Sequence, residues 1–193
     1  MTKAEIRVKY KNLRLLLSDD NVKVQSIAIA KNFETLDIWN KTYFHVYMPI
    51  DTLKEVDTSF IINLLRKNNK KVVTSKSNFD TAEMTHFLIE EKTEFFKNNY
   101  NILEPKNAET IAIQKIEVIV IPLLAFDIRG HRVGYGKGFY DRFLSQCDPN
   151  AIFIGLSFFN AVSPIDNIDA KDVKIDICVL PAQIIFFKDQ ETI

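Results

Sequence analysis

Glycines and cationic side chains alternate in one short stretch of the chain, and together they suit the binding of phosphate. Four of the five glycines lie in Gly130-His-Arg-Val-Gly-Tyr-Gly-Lys-Gly138. Glycine permits positive φ angles and lets a ligand approach backbone N–H groups. Arg132, Lys137 and Arg142 add positive charge among these donors, as phosphate recognition requires. The stretch predicts a phosphate-binding loop, with a purely structural glycine-rich turn as the alternative.

The flanking sequence predicts that this loop joins a strand to a helix, where a helix N-terminus can hold an anion. The loop is not a Walker P-loop, because Gly138 follows Lys137 where Ser or Thr would hold Mg²⁺. A dinucleotide-binding fingerprint is also unsupported, because the glycines alternate as G-x-G-x-G and no acidic residue follows about 20 positions on at a strand end.

Three acidic residues and one cationic pair are further candidates for the site. Asp141 falls in the first turn after the loop and Asp176 begins an apolar run, and carboxylate oxygens suit Mg²⁺. Glu55 lies in a predicted loop, and Lys3 and Arg7 share one helix face at i and i+4. Each has an ordinary structural alternative: a helix-start acid, a strand-end residue or a solvated charge.

The composition excludes several other classes of function. The 193 residues contain 25 Lys and Arg and 25 Asp and Glu, so no overall field favours nucleic acid or an anionic membrane. The three histidines form no metal pattern, and Cys147 and Cys178 are expected to be reduced and buried. No arrangement suggests a covalent nucleophile. The absence of an apolar leader and of a long apolar run predicts a cytoplasmic protein.

Hydrophobic periodicity predicts alternating helices and strands along the chain. The predicted helices are 3–17, one capped by Ser18-Asp-Asp20, one that begins at Asp57 or Thr58 and extends through Leu65, a helical turn at 91–97, and 138–147. The predicted strands are 43–48, 72–73, 85–89, 117–122, 151–156 and 176–180, with 103–106 extended or in a turn.

This alternation, with several strands that are continuously apolar, predicts one α/β domain over residues 1–193. We expect a three-layer α/β/α sandwich around a mostly parallel sheet. Ligands collect at the carboxyl ends of parallel strands. The loop 49–57, the glycine loop and the residues around Asp176 are expected there.

The stretch from Val120 to Leu144, which contains Gly-Tyr-Gly-Lys-Gly-Phe-Tyr-Asp-Arg, resembles the signature of the 5-formyltetrahydrofolate cyclo-ligases. Elements elsewhere match in order and extend the resemblance over nearly the whole chain: Lys3 and Arg7, Glu55-Val-Asp-Thr58, Tyr100-Asn-Ile-Leu-Glu-Pro105 and Lys174-Ile-Asp176. Two positions depart from the family pattern: Leu123 and Leu124 occupy a place where glycine is common, and no proline follows Val73 before Lys76.

The resemblance implies an ATP- and Mg²⁺-dependent ligase that converts 5-formyltetrahydrofolate to 5,10-methenyltetrahydrofolate, ADP and phosphate. It implies catalytic roles for Lys137 and Arg132, and Mg²⁺ organised by Asp141 and Asp176. The implied ATP-binding residues are Lys3, Arg7, Arg132, Gly134, Tyr135, Gly136, Lys137, Gly138, Phe139 and Tyr140. The implied folate-binding residues are Glu55, Tyr100, Tyr135, Gly136, Lys137, Gly138 and Phe139. We expect a monomer, with no nucleic-acid or membrane partner.

Two other functions remain open at this stage. A nonenzymatic module could store folate or nucleotide, although folate binding alone would not require the cations and both aspartates. A sugar-phosphate or acyl-CoA enzyme on a similar sheet would instead need an acid/base pair or a glutamyl nucleophile.

Overall fold

A computed structural model describes residues 1–187 of the chain. These residues form a seven-stranded sheet and two short two-stranded sheets. The strands are β1 (Tyr43–His45), β2 (Lys71–Asn78), β3 (Glu83–Ile89), β4 (Phe95–Lys97), β5 (Leu103–Pro105), β6 (Val118–Pro122), β7 (Ala125–Phe126), β8 (Arg132–Val133), β9 (Ile152–Leu156), β10 (Ile177–Val179) and β11 (Ile184–Phe186).

Four α-helices accompany the strands in the described part: α1 (Lys3–Leu15), α2 (Asp19–Glu34), α3 (Ser59–Lys67) and α4 (Phe139–Leu144). Thr2 and Glu5 form a capping box at α1, and the Ser18 side chain accepts the N–H of Asn21 at 3.1 Å to begin α2, as an N-cap serine does. None of the helices among residues 1–187 is long and apolar enough to cross a membrane.

The large sheet has the strand order β11-β10-β9-β6-β1-β2-β3. Its five central strands pair in parallel, and the edge strands β3 and β11 are antiparallel. After β1 the chain adds β2 and β3 on one side of β1. It then crosses to the other side of β1, where it adds β6, β9, β10 and β11 in turn. The boundary between β1 and β6 is therefore a topological switch point, where ligand crevices form in such sheets.

Apolar side chains cover both faces of the sheet. On one face, Phe33 of α2 and Ile61 of α3 pack with Val120. On the other, Phe143 of α4 packs with Ile119 and Ile121. Residues 118–121 of β6 are fully buried, which explains their unbroken apolar sequence. The prediction of an α/β fold with a mostly parallel sheet is confirmed.

Several predicted elements differ from those observed. The helical turn at 91–97 is wrong, because Phe95–Lys97 forms β4 and pairs with β5, a partner several residues away that local periodicity does not reveal. The strand predicted at 43–48 is assigned only over Tyr43–His45, although Val46 N still donates to Val73 O at 2.8 Å. The strand at 72–73 extends to Asn78, because β3 pairs along its whole length. The helix predicted over 138–147 ends at Leu144, and β11 was not predicted.

His45 and His86 lie buried together under α4, with ring centroids 5.4 Å apart. Both rings contact Phe143, with centroid distances of 4.9 and 4.1 Å. Among the described residues, no partner binds either ring nitrogen of His86 or Nδ1 of His45. Burial lowers the pKa of His86 to about 4 and places the pKa of His45 well below its ordinary value.

These histidines predict a loss of stability in mild acid. The unfolded chain takes up protons below the ordinary histidine pKa of about 6.5, whereas folded His86 takes up its proton only near pH 4. The free energy of unfolding should therefore fall as the pH drops through this window, by about 3 kcal/mol for His86 alone. Urea unfolding at several pH values measures this free energy, and in His86→Leu it should depend less steeply on pH. The same pH dependence in the wild type and in His86→Leu would contradict the attribution to His86.

Candidate active site

A cavity of about 910 Å³ lies at the carboxyl ends of β1 and β6. The glycine loop borders it together with α1, the segment after β1, the β2–β3 hairpin and the β4–β5 turn. Nearly all the predicted site residues line this cavity: Lys3, Arg7, Glu55, Tyr100, Arg132, Gly134, Tyr135, Gly136, Lys137, Gly138, Phe139, Tyr140 and Asp141. The structure therefore brings together residues that are up to 138 positions apart in the chain.

Helix α1 places its two predicted cations against the loop. Arg7 Nε donates to Gly134 O at 2.9 Å, and Lys3 Nζ pairs with the carboxylate of Asp172. The Arg7 guanidinium also lies over Gly136, since a Cβ built there would be 3.1 Å from its Cζ. The absence of a side chain at Gly136 thus lets the cation approach the backbone closely.

Arg132 and Asp141 form the most closely bonded charged pair of the loop. Arg132 NH2 donates to Asp141 Oδ1 at 2.8 Å, and the same oxygen accepts the N–H of Val173 at 3.2 Å. The other Arg132 nitrogen, NH1, donates to Val173 O. Burial lowers the pKa of Arg132 while Asp141 opposes that shift, and arginine remains a cation at physiological pH.

Lys137 lies at the turn of the loop, between two glycines with left-handed backbones. Gly136 has φ 87° and Gly138 has φ 71°, and Gly138 is the residue before α4. Arg142 NH2 donates to Lys137 O at 2.7 Å, and its Nε donates to Ala82 O at 2.8 Å. Arg142 therefore ties the loop to the β2–β3 hairpin through their carbonyls.

A buried chain of polar side chains crosses the floor of the cavity. Tyr135 OH donates to Glu55 Oε1 at 2.5 Å, and Arg14 NH2 donates to the same phenol oxygen. Glu55 Oε2 accepts the N–H of Ile50 at 2.8 Å. Burial raises the pKa of Glu55, against the lowering effects of Tyr135 and Arg14. Burial and the neighbouring carboxylate raise the pKa of Tyr135, so this phenol keeps its proton.

Aromatic rings form another part of the cavity wall. Tyr100 stacks on Phe79 with ring centroids 3.7 Å apart and an interplanar angle of 22°. Phe79 also meets Phe139 edge to face at 5.1 Å. Tyr100 is 55% exposed, so part of its surface remains accessible to a ligand.

Asp176 is the one predicted site residue that lies elsewhere. It precedes β10 and therefore sits at the amino end of that strand, so the expectation that it lies at a carboxyl end is wrong. Its Oδ2 accepts the N–H of Phe153 at 2.8 Å, and it is absent from the cavity lining. The amino-acid pattern does not reveal which way this short strand runs in the sheet, whereas its parallel pairing with β9 does. Its role with Mg²⁺ stays a prediction.

Arg14, Asp172 and Phe79 are three of the cavity or network residues that were not predicted. Arg14 continues the stripe of Lys3 and Arg7 on one face of α1, and this spacing was a usable signal. Asp172 is recognisable only through its pairing with Lys3, and Phe79 only through its stacking on Tyr100. Both contacts join distant parts of the chain.

Comparison with known proteins agrees with this fold. The family model described as 5-formyltetrahydrofolate cyclo-ligase matches residues 1–181. A Schizosaccharomyces pombe protein named probable 5-formyltetrahydrofolate cyclo-ligase is 30% identical over 188 residues, which are 88% of this chain and 90% of that protein. The NMR structure of the Aquifex aeolicus 5,10-methenyltetrahydrofolate synthetase superposes with a TM-score of 0.84 and 25% identity, and covers 98% of this chain and 94% of that one.

A 5,10-methenyltetrahydrofolate synthetase from Mycoplasma pneumoniae has the same fold, with a TM-score of 0.72 and 23% identity over 94% of this chain and 99% of that chain. The fold and the matches define an enzyme of the ligase class. The chain belongs to the 5-formyltetrahydrofolate cyclo-ligase family, which confirms the resemblance in its sequence.

The loop geometry predicts that a substitution at Gly136 destabilises the protein and that the same substitution at Gly134 does not. Gly136→Ala should lower the free energy of unfolding by about 1–2 kcal/mol, because alanine is strained at positive φ and its methyl group would press on Arg7. Gly134→Ala is the matched control, since a Cβ there has no neighbour within 4 Å. Denaturant unfolding of both variants measures the difference. Equal free energies of unfolding in the two variants would contradict the strain assigned to a side chain at Gly136.

Proposed function

We propose that this protein uses ATP and Mg²⁺ to cyclise 5-formyltetrahydrofolate to 5,10-methenyltetrahydrofolate, with release of ADP and phosphate. One observation supports this above the others: a single cavity joins a glycine loop ringed by cations to a wall of aromatic residues and a buried carboxylate. Its volume of about 910 Å³ is near the upper end of ordinary ligand pockets. That size suits two ligands placed side by side.

The reaction needs activation of a poor electrophile. The N-formyl group is amide-like, so its oxygen first attacks the γ-phosphorus of ATP and ADP departs. N10 then attacks the resulting iminium phosphate, the C–O bond breaks to release phosphate, and N10 loses its proton. Charge stabilisation and alignment dominate such phosphoryl transfer, so the proposal requires no protein nucleophile.

The proposal assigns the phosphate end of the cavity to the loop and its cations. Lys3, Arg7 and Arg132 would contact the ATP phosphates, together with the backbone of residues 134–140. Lys137 would lie nearest the transferred phosphoryl group and stabilise the charge that develops there. The bond from Arg7 to Gly134 and the pairing of Arg132 with Asp141 support this assignment, because both hold cations at the loop.

The folate end would use the carboxylate and the aromatic wall. Glu55 would accept hydrogen bonds from the pterin or its N-formyl region, and Tyr100 would pack on the folate. Tyr135 and Phe139 would border both ligands. We also propose that the protein acts as a monomer and that its activity lies in the cytoplasm.

The acidic residues of the cavity suit a Mg²⁺ ion that has few protein ligands. Mg²⁺ is usually bound by one or two carboxylates together with substrate phosphates. Within residues 1–187 no three His, Cys, Asp or Glu side chains form a metal cluster, whereas Asp141 lines the cavity beside the loop. Asp141 would therefore hold the ion with the nucleotide, and the bound ion would neutralise charge on the phosphate oxygens.

An assay of the methenyl product tests the proposed function. The product absorbs near the ultraviolet edge of the visible spectrum, so this band should grow only when 5-formyltetrahydrofolate, ATP and Mg²⁺ are all present. Tight folate binding without turnover would instead favour a binding module.

Lys137→Ala should lower kcat by about 100-fold or more, because it removes a positive charge from the developing phosphoryl charge. Circular dichroism and thermal unfolding should remain those of the wild type. Lys115→Ala removes a lysine that is absent from the cavity lining, and serves as the control. Undiminished ATP-dependent turnover in Lys137→Ala would remove the residue from the mechanism.

The two predicted metal residues can be separated by titration with Mg²⁺. Asp141→Asn should raise the Mg²⁺ concentration needed for half-maximal turnover by about tenfold or more, because a charged oxygen ligand is lost. Asp176→Asn tests the sequence-based role directly. An unchanged Mg²⁺ requirement with lowered thermal stability would limit Asp176 to its bond with Phe153, while a raised requirement would support its role with the metal.

A further inference from the structure

The guanidinium of Arg14 is buried inside the protein, with 4% of the residue exposed. Its NH2 donates to Tyr135 OH, and NH1 lies at 3.5 Å from Leu123 O. Within the described residues Nε has no hydrogen-bond partner, and no carboxylate lies within ion-pair distance. A buried cation is costly unless something compensates it. The nearest compensation along its hydrogen bonds is Glu55, one phenol away.

We propose that Arg14 is a positioning residue, which acts through the Tyr135 hydroxyl to keep the Glu55 carboxylate ionised and directed at the folate. The inference rests on the proposed function for the identity of the ligand. Arg14 itself touches neither ATP nor folate, since it does not line the cavity. Its effect passes along the chain from Arg14 to Tyr135 to Glu55.

Ionisation of Glu55 depends on a balance of neighbouring groups. Burial and the Asp51 carboxylate favour its neutral form, whereas the Tyr135 hydroxyl, the Arg14 charge and the Ile50 N–H favour the carboxylate. Burial raises the pKa of the Tyr47 and Tyr140 phenols, and the nearby Glu55 carboxylate adds to that rise. Arg14 is the cation in this set, and its removal shifts the balance toward the neutral acid.

An ionised Glu55 matters because of what the pterin presents. The ring carries N–H and amino donors, and a carboxylate accepts from them with both oxygens. A neutral carboxyl group accepts more weakly and presents a proton of its own. Loss of Arg14 should therefore weaken folate recognition most at low pH and least at high pH.

Anchoring of α1 is the alternative role for Arg14, through its contact with Leu123. That role predicts an equal loss of activity at every pH. It also predicts no special coupling to Tyr135, because a structural anchor at Leu123 would not act through the phenol. The pH profile and the coupling therefore separate the two roles.

The experiment compares Arg14→Met, Arg14→Lys, Tyr135→Phe and the control Lys11→Met, which removes an exposed cation from the same helix. The readout is kcat/KM for 5-formyltetrahydrofolate from pH 5 to 9. Arg14→Met should lower it about 10- to 100-fold near neutral pH and move its acid limb upward by roughly one pH unit. Arg14→Lys should recover much of this loss, and Lys11→Met should match the wild type.

A double-mutant cycle tests whether the effect passes through the phenol. Arg14→Met and Tyr135→Phe together should cost little more than the larger single loss, since both interrupt one chain of bonds. Additive losses, or an acid limb unmoved in Arg14→Met, would overturn the inference. Thermal unfolding of each variant identifies any that fail to fold. If Arg14→Met does not fold, Tyr135→Phe, which interrupts the same chain of bonds, provides the pH comparison.

The test also separates this inference from the proposed function. If the wild type lacks turnover, the function fails, and the same pH series is measured on binding of 5-formyltetrahydrofolate by tyrosine and tryptophan fluorescence. A shifted acid limb of binding in Arg14→Met would support the inference alone. Absence of both turnover and binding would overturn both.

Discussion

The parallel pairing of β1 with β6 is the constraint on which the cavity depends. Phe44 lies opposite Val118, and His45 opposite Ile119, so the two strands end side by side. The chain that leaves β1 must then meet the chain that leaves β6, and these two segments contain Glu55 and the glycine loop. The regular structure in these segments is short, namely a 3-10 turn at Asp51–Leu53 and the two-residue strands β7 and β8, which pair with each other. Their meeting follows from a ladder of buried apolar residues that takes no part in chemistry.

Helix α1 closes the cavity by a different kind of interaction. Its apolar face supplies Ile6, with Tyr10 packed beside it, to a small cluster with Ala125, Val133 and Ile165. Much of its attachment to the loop is polar, through the bonds of Arg7 and Arg14 to Gly134 and Tyr135. The same groups thus hold the helix in place and supply the charge of the site. Under the proposed function, ATP binding by these cations would also alter the attachment of α1 to the loop.

The sequence predicted the structure correctly where one local pattern of residues determines it. The capped helices, the buried strand before Pro122 and the clustered glycines were all predictable, and nearly all the site residues that the resemblance implied line the cavity. It failed where the outcome depended on a distant partner. Phe95–Lys97 is a strand because it pairs with β5, and Asp176 lies outside the cavity because its strand runs parallel to β9. Arg14 was missed because its partner is a phenol 121 residues away.

Tyr135 belongs to the glycine loop, and yet its hydroxyl is bonded to the Glu55 carboxylate on the cavity floor. Its backbone lies between Gly134 and Gly136, whereas its hydroxyl donates to Glu55 across the cavity floor. The high pKa that burial and Glu55 impose keeps that proton in place. The loop is therefore linked at one residue to both ends of the cavity. Under the proposed function, a shift of the loop on binding ATP would move the Tyr135 hydroxyl, and with it the Glu55 carboxylate to which it is bonded. Coupling between ATP and folate would then need no moving domain, because one tyrosine joins the loop to the carboxylate.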